Sequence, residues 1–156
     1  MRFANALQTA GLRLALASSS KNVAAMLRRL SAPDGRSLLS IFDADLSGTD
    51  LPRGKPDPAL FLAAARALKV PPAQCVVVED GPAGIAAARG GGMTSVVIAP
   101  LGDEALLQRA QADLVVTSLD HGCHCGPRWH LACPADNGDA RSCVTPLRQL
   151  AIRVGF

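Results

Sequence analysis

The chain has 156 residues, of which 49% are apolar and only 3% aromatic. That length and apolar content suit one domain with a real core and exclude a largely disordered chain, and the core must rest on Ala, Val, Leu and Ile. A net charge of +3, with arginines scattered and not interleaved with aromatics, argues against nucleic acid as a partner, and no apolar run approaches the ~18 residues that a membrane helix needs.

The N-terminal stretch MRFANALQTAGLRLALASS has the loose outline of a signal peptide. Arg13 interrupts its apolar run, and the uninterrupted piece that remains is too short. It reads as folded chain in a cytoplasmic protein. Residues 12–17, LRLALA, form a short apolar strand that ends in a polar turn of Ser18, Ser19, Ser20, Lys21 and Asn22. Val23, Met26, Leu27 and Leu30 then recur at helical spacing.

Residues 40–48, SIFDADLSG, read as a second short strand. The following RGKPDP, residues 53–58, is a rigid turn. Lys55 stands before Pro56, which biases it toward extended backbone. Asp57 fits a helix N-cap and Pro58 a first helical position. That helix continues to about Lys69, with Leu60, Phe61, Ala64, Ala65 and Leu68 on one side.

Residues 74–80, QCVVVED, form the third strand. Its unbroken run of Val76, Val77 and Val78 suits a strand buried on both faces, as in a parallel sheet. Cys75 at its head reads as a small buried hydrophobe. Pro82 opens the next helix and Gly90 closes it. A strand over 94–100, a short helix over 104–110 and a last strand over 112–119 follow. Strand and helix alternate throughout, which argues an α/β fold with a Rossmann-like parallel sheet and right-handed crossovers. Residues 1–120 form one core domain, without an internal repeat or an interdomain linker.

In an open parallel sheet, ligands bind beyond the carboxyl ends of the strands. Three polar clusters fall on or beside that edge: residues 18–22 after the first strand, Lys55 on the turn, and Glu79 with Asp80 after the third strand. Hydroxyls and helix-start amides suit phosphate oxygens. A lysine adds a point charge. Adjacent carboxylates at a strand tip suit Mg²⁺, a hard cation that keeps company with phosphates. Each piece alone reads as a helix cap, a surface charge or a turn. In this order they describe a Mg²⁺-dependent phosphoryl-transfer site.

The stretches ALASSSKN, GKPDPALFLAAA and VVVEDGPAGIAAARGGGM resemble the haloacid dehalogenase superfamily, nearest its β-phosphoglucomutase-like branch. The resemblance covers roughly residues 5 to 120. It implies a phosphatase or phosphomutase acting on a small sugar phosphate with Mg²⁺. Ser18 matches the family's phosphate-binding serine, with Ser19 beside it. Lys55 matches the lysine that steadies charge on the nucleophile and the phosphoryl group. Glu79 and Asp80 match the acids that hold Mg²⁺. Ser20, Lys21 and Asn22 match positions that touch the sugar phosphate.

The same resemblance implies a departure. Family members carry an apolar strand ending in an Asp-x-Asp pair, whose first Asp attacks phosphorus, and then a helical cap domain. Only 17 residues precede Ser18 here, and neither element fits in them. The nucleophile strand lies between the Ser18 strand and the Glu79 strand. Its loss leaves an incomplete core, with a gap in the sheet or a direct pairing of those two strands, and a chain that is inactive alone. The alternative is a non-catalytic remnant or phosphate-binding subunit that pairs with a separate N-terminal half. Asp43 and Asp45 in FDAD imitate the nucleophile pair, but they fall between the Ser and Lys motifs, where the family has an ordinary strand. They read as strand and turn acids.

After residue 120 the character changes abruptly, as a shifted reading frame would also make it do. Residues 121–156 are rich in Cys, His, Gly and Pro and read as a poorly ordered extension. His121, Cys123, His124, Cys125, His130 and Cys133 are candidate zinc ligands, but their spacing matches no known finger or ribbon.

Overall fold

The computed structural model describes residues 2–32, 34–99, 111–116 and 119, together with the backbone of 123–125, 128–130 and 151–152. The helix predicted over 104–110 lies outside the described residues, as do His121 and Cys133. Four helices are described: α1 (Arg2–Thr9), α2 (Val23–Arg29), α3 (Ala59–Leu68) and α4 (Pro82–Gly90). The core strands are β1 (Ala15–Leu16), β2 (Ala44–Asp45), β3 (Val76–Glu79), β4 (Thr94–Ile98) and β5 (Leu114–Val116). Farther along come β6 (Cys123–Cys125), β7 (Arg128–His130) and β8 (Ala151–Ile152).

The helices form where the apolar spacing is helical. In α1, Phe3 and Leu7 lie one turn apart and both are buried. In α3, Leu60, Phe61, Ala64, Ala65 and Leu68 are buried. Its start falls one residue later than predicted, with Pro58 at the cap position (φ −75°, ψ −3°). Asp57 still supplies the carboxylate, because its Oδ1 accepts the Ala59 N–H at 2.9 Å. Lys69 closes α3 in the left-handed conformation (φ 57°), and its N–H reaches the carbonyls of Ala65 and Arg66. Arg13 adds a donor at that end, with Nη1 at 2.6 Å from the Leu68 carbonyl.

The strand predicted over 40–48 is corrected. Residues Leu38–Ile41 form a 3₁₀ turn, and only Ala44 and Asp45 pair as a strand. Ser37 caps that turn, its Oγ accepting the Leu39 N–H at 3.2 Å, while the Ser40 hydroxyl donates to the Ser37 carbonyl. Local side-chain bonds of this kind compete with a ladder. The first strand is likewise shorter than residues 12–17, because its partner β2 offers only two residues (Ala15↔Ala44, Leu16↔Asp45).

β3 is flanked on both edges by parallel partners. On one edge it pairs with β4 from Val76↔Thr94 to Glu79↔Val97, and β4 in turn pairs with β5. On the other edge it pairs with β8, Val77↔Ala151 and Val78↔Ile152. β6 and β7 pair with each other, antiparallel. Successive residues of β1 and β3 alternate between two apolar layers, as the period of two requires. Leu14, Leu16, Val76 and Val78 join Phe3 and Leu7 in one layer. Ala15, Ala17 and Val77 join Phe61, Ala64 and Ala87 in the other. Burying each valine contributes about 1.5–3 kcal/mol, so the run Val76–Val77–Val78 anchors both layers.

The fold is therefore α/β with parallel sheets, as the alternation of elements predicts. The expected gap between β1 and β3 is corrected: it is neither open nor closed by β1 pairing with β3. β8 lies there, in a ladder with β3 and against β1 and α3. Among the described residues, no helix is long and apolar enough to cross a membrane.

Candidate functional site

Ser18 lies two residues past the end of β1 and is buried. Its Oγ accepts the Ser20 N–H at 3.2 Å, and the Ser20 Oγ accepts the Asn22 N–H at 3.3 Å. Each hydroxyl thus serves as an acceptor inside the turn and keeps its own O–H to donate, which is the polarity an anion needs. The loop after β2 is pressed onto this turn. The Gly48 N–H donates to the Ser18 carbonyl at 2.9 Å. Gly48 adopts φ +67°, and a Cβ there would lie 2.9 Å from the Cα of Lys21. Only glycine permits that conformation and that approach.

At the tip of β3, Glu79 is buried and Asp80 is exposed. Lys55 reaches Glu79 from the turn before α3, Nζ to Oε1 at 2.5 Å, with the two side chains only 10% and 1% exposed. The ammonium also stands 5.2 Å from the centre of the Phe61 ring, within cation–π range. Glu79 Oε2 accepts the Asp80 N–H at 3.3 Å. Gly84, in the first turns of α4, makes room for this carboxylate: a Cβ there would fall 2.0 Å from Glu79 Cδ. Burial pushes the Glu79 carboxyl up to about 8; the Asp80 and Gly81 amides work in the opposite direction. Cys75, at the foot of the strand, is buried as predicted, and burial pushes its thiol up too.

Beside the pair opens a cleft of about 200 Å³ lined by Ser19, Lys21, Gly48, Thr49, Asp50, Leu51, Arg53, Gly54, Lys55 and Leu60. Three of its walls carry cations: Lys21, Arg53 and Lys55. Arg53 is 81% exposed and 3.9 Å from Asp57. The structure brings together Ser19, Lys21, Lys55 and, through Lys55, Glu79. Ser18, Ser20, Asn22 and Asp80 do not line this cleft. Sequence reasoning missed Thr49, Asp50 and Arg53. The signal was available: residues 48–50 follow the carboxyl end of β2, on the same ligand-binding edge as the serines.

Asp43 and Asp45 are placed apart from this cluster. Asp43 Oδ2 accepts the Leu14 N–H at 2.7 Å, and the Asp43 N–H donates to the Leu14 carbonyl at 2.7 Å. Asp43 thereby braces the start of β1. Asp45 Oδ1 accepts from the Ser47 N–H and hydroxyl. Among the described residues, no group of three or more His, Cys, Asp and Glu side chains converges. Chemically the site offers a cationic, hydroxyl-lined cleft next to a buried acid and an exposed one.

A family model for haloacid dehalogenase-like hydrolases matches residues 1–92. The chain is 39% identical to β-phosphoglucomutase of Bacillus subtilis over 116 residues, which is 72% of this chain and 49% of that protein. Its fold is similar to a crystal structure of CbbY from Rhodobacter sphaeroides in complex with xylulose-(1,5)bisphosphate. There the TM-score is 0.63 at 31% identity, over 75% of this chain and 51% of the other. It is similar also to β-phosphoglucomutase from Clostridium difficile, with a TM-score of 0.62 at 30% identity over 74% and 47%. The chain thus spans about half the length of these relatives. On the family model, the motifs and the fold, the chain belongs to the haloacid dehalogenase-like hydrolases, in their β-phosphoglucomutase-like branch.

Proposed function

We propose that this chain carries the phosphate-handling part of a Mg²⁺-dependent phosphatase or phosphomutase that acts on a small sugar phosphate in the cytoplasm. The observation that carries the reading is the Lys55–Glu79 pair at the tip of β3, opening onto a cleft that also presents Ser19 and Lys21. In this reading Ser18 and Ser19 donate hydrogen bonds to phosphate oxygens. Lys21, Ser20 and Asn22 steer the rest of the substrate, and Arg53 adds positive charge at the mouth. Lys55 is shared: it hydrogen-bonds Glu79 in the resting site and turns to the phosphoryl group when substrate enters.

The donor chemistry of Glu79 and Asp80 fits Mg²⁺ in kind, as two carboxylates at one strand tip, and among the described residues no third acid joins them. When bound, the metal would supply Lewis acidity at a phosphoryl oxygen. Asp80 and Glu79 would hold it, with Lys55 competing for the Glu79 carboxylate. Two carboxylates fall short of the near-octahedral oxygen set Mg²⁺ demands, so the affinity of this chain is millimolar or weaker.

The 17 residues ahead of Ser18 contain no aspartate. A polypeptide of these 156 residues is therefore expected to release no phosphate from small sugar phosphates with Mg²⁺ above background. Adding a polypeptide that carries an Asp-x-Asp strand is expected to restore turnover. Turnover by the chain alone that Asp43→Asn abolishes would move the nucleophile to Asp43 and overturn the reading. A second reading, a phosphate-binding chain without turnover, is favoured by one observation: β8 stands between β1 and β3.

A further inference from the structure

The pairing of β6 with β7 sorts the chemistry that the sequence around residue 125 leaves mixed. The register sets Cys123 opposite His130, His124 opposite Trp129 and Cys125 opposite Arg128. Successive residues of a strand belong to opposite faces of its ladder. Cys123, Cys125, Arg128 and His130 therefore share one face, and His124 and Trp129 share the other. Spacing along the chain carries no such grouping, because it treats every Cys and His of this stretch alike. The antiparallel register singles out three.

The separations of these three positions suit a shared metal ion. Residues directly opposite in an antiparallel ladder have Cβ atoms about 4.5–5.5 Å apart, and diagonal neighbours lie about 7–8 Å apart. Cys123 and His130 are opposite, and Cys125 and His130 are diagonal. Cys123 and Cys125 stand two residues apart on one strand, a rise of about 6.8 Å. Zinc sits about 2.3 Å from a thiolate sulfur and about 2.0–2.1 Å from an imidazole nitrogen.

The donor types narrow the metal. Two thiolates and an imidazole favour Zn²⁺ over the hard Mg²⁺ that carboxylates suit. Arg128 is a cation and no ligand, so the face supplies three donors, and the fourth tetrahedral position falls to water. The ladder itself has need of a staple: β6 and β7 form a two-stranded sheet of their own, and such a pair is at best marginally stable in water.

We propose that Cys123, Cys125 and His130 form a zinc site on one face of the β6–β7 ladder. Binding releases the two thiol protons to solvent and ties the strands together, so that metal affinity becomes local folding energy. The proposal does not depend on the phosphate reading.

Titration of the reduced, full-length chain with Zn²⁺ against a chromophoric chelator tests it. Uptake of one Zn²⁺ per chain is expected. Cys123→Ser, Cys125→Ser and His130→Gln are each expected to weaken binding at least about tenfold. His124→Gln, on the opposite face, and Cys143→Ser are expected to leave it unchanged. With Co²⁺ in place of Zn²⁺, the thiolate-to-metal absorption is expected to fall to about half in each of the two ladder Cys variants and to persist in His130→Gln. Absence of stoichiometric uptake overturns the proposal. So does a loss in His124→Gln or Cys143→Ser as large as in the other three, because binding then follows composition and not the register.

Discussion

Glu79 stands where two physical demands meet. Burial favours its protonated form and raises the carboxyl from 4.5 to about 8, whereas the Lys55 ammonium at 2.5 Å favours the charged form. If burial dominates, the folded chain holds a proton that the unfolded chain releases above 4.5. Its contribution to stability is then full below 4.5, declines as pH rises through the window up to about 8, and is gone above it. Denaturation followed from pH 4.5 to 8 is expected to show that decline, and Glu79→Gln is expected to flatten it. A wild-type stability that is flat from pH 4.5 to 8 and falls below 4.5, with Glu79→Gln removing that fall, would mean that the ion pair with Lys55 dominates instead. Gly84 sets the same carboxylate in place from behind. Gly84→Ala puts a methyl 2.0 Å from Glu79 Cδ and is expected to destabilise the fold by about 1–3 kcal/mol. If thermal denaturation shows no loss, the cradle is not as tight as described. The meeting of Lys55 with Glu79 beside the cleft could be anticipated from the sequence, because each stands at a strand end or helix start with a distinctive neighbour. Arg53 could not, because its place in the cleft depends on how the loop after β2 folds over residues 18–21.

Elements were legible in proportion to the strength of their own period. α3 and α4 carry repeated apolar faces and clear stops, and β3 and β4 carry β-branched runs. Residues 40–48 misled, because Ser37 and Ser40 satisfy backbone groups locally and Asp43 takes the Leu14 N–H, choices that apolar pattern does not reveal. The brace is testable. Asp43→Ala removes the acceptor for the Leu14 N–H and is expected to cost about 1 kcal/mol of stability, leaving phosphate binding at the cleft unchanged. Loss of phosphate binding without loss of stability would restore Asp43 to the site. β8 was invisible from the sequence for a different reason. Two ladder residues have no period of their own, and their partner lies far back along the chain, so only the demand of β3 for a second edge identifies them.

At the scale of the whole molecule, the alternation of strand and helix through residue 119 gave the α/β class and placed three polar clusters on one edge of the sheet. What composition could not give was how the two halves of that edge come together. Ser19 and Lys21 enter from β1, Lys55 from the turn before α3, and Glu79 from β3, and the two apolar layers that cross between β1 and β3 hold them in register. In the proposed function this convergence makes an anion site for a phosphate group. Titration of the ¹⁵N-labelled chain with inorganic phosphate, followed by amide chemical shifts, tests it most directly. Saturable shifts confined to Ser19, Lys21, Gly48, Arg53 and Lys55 are expected, and their loss in Lys55→Ala. Shifts that never saturate, or that persist unchanged in Lys55→Ala, would contradict it.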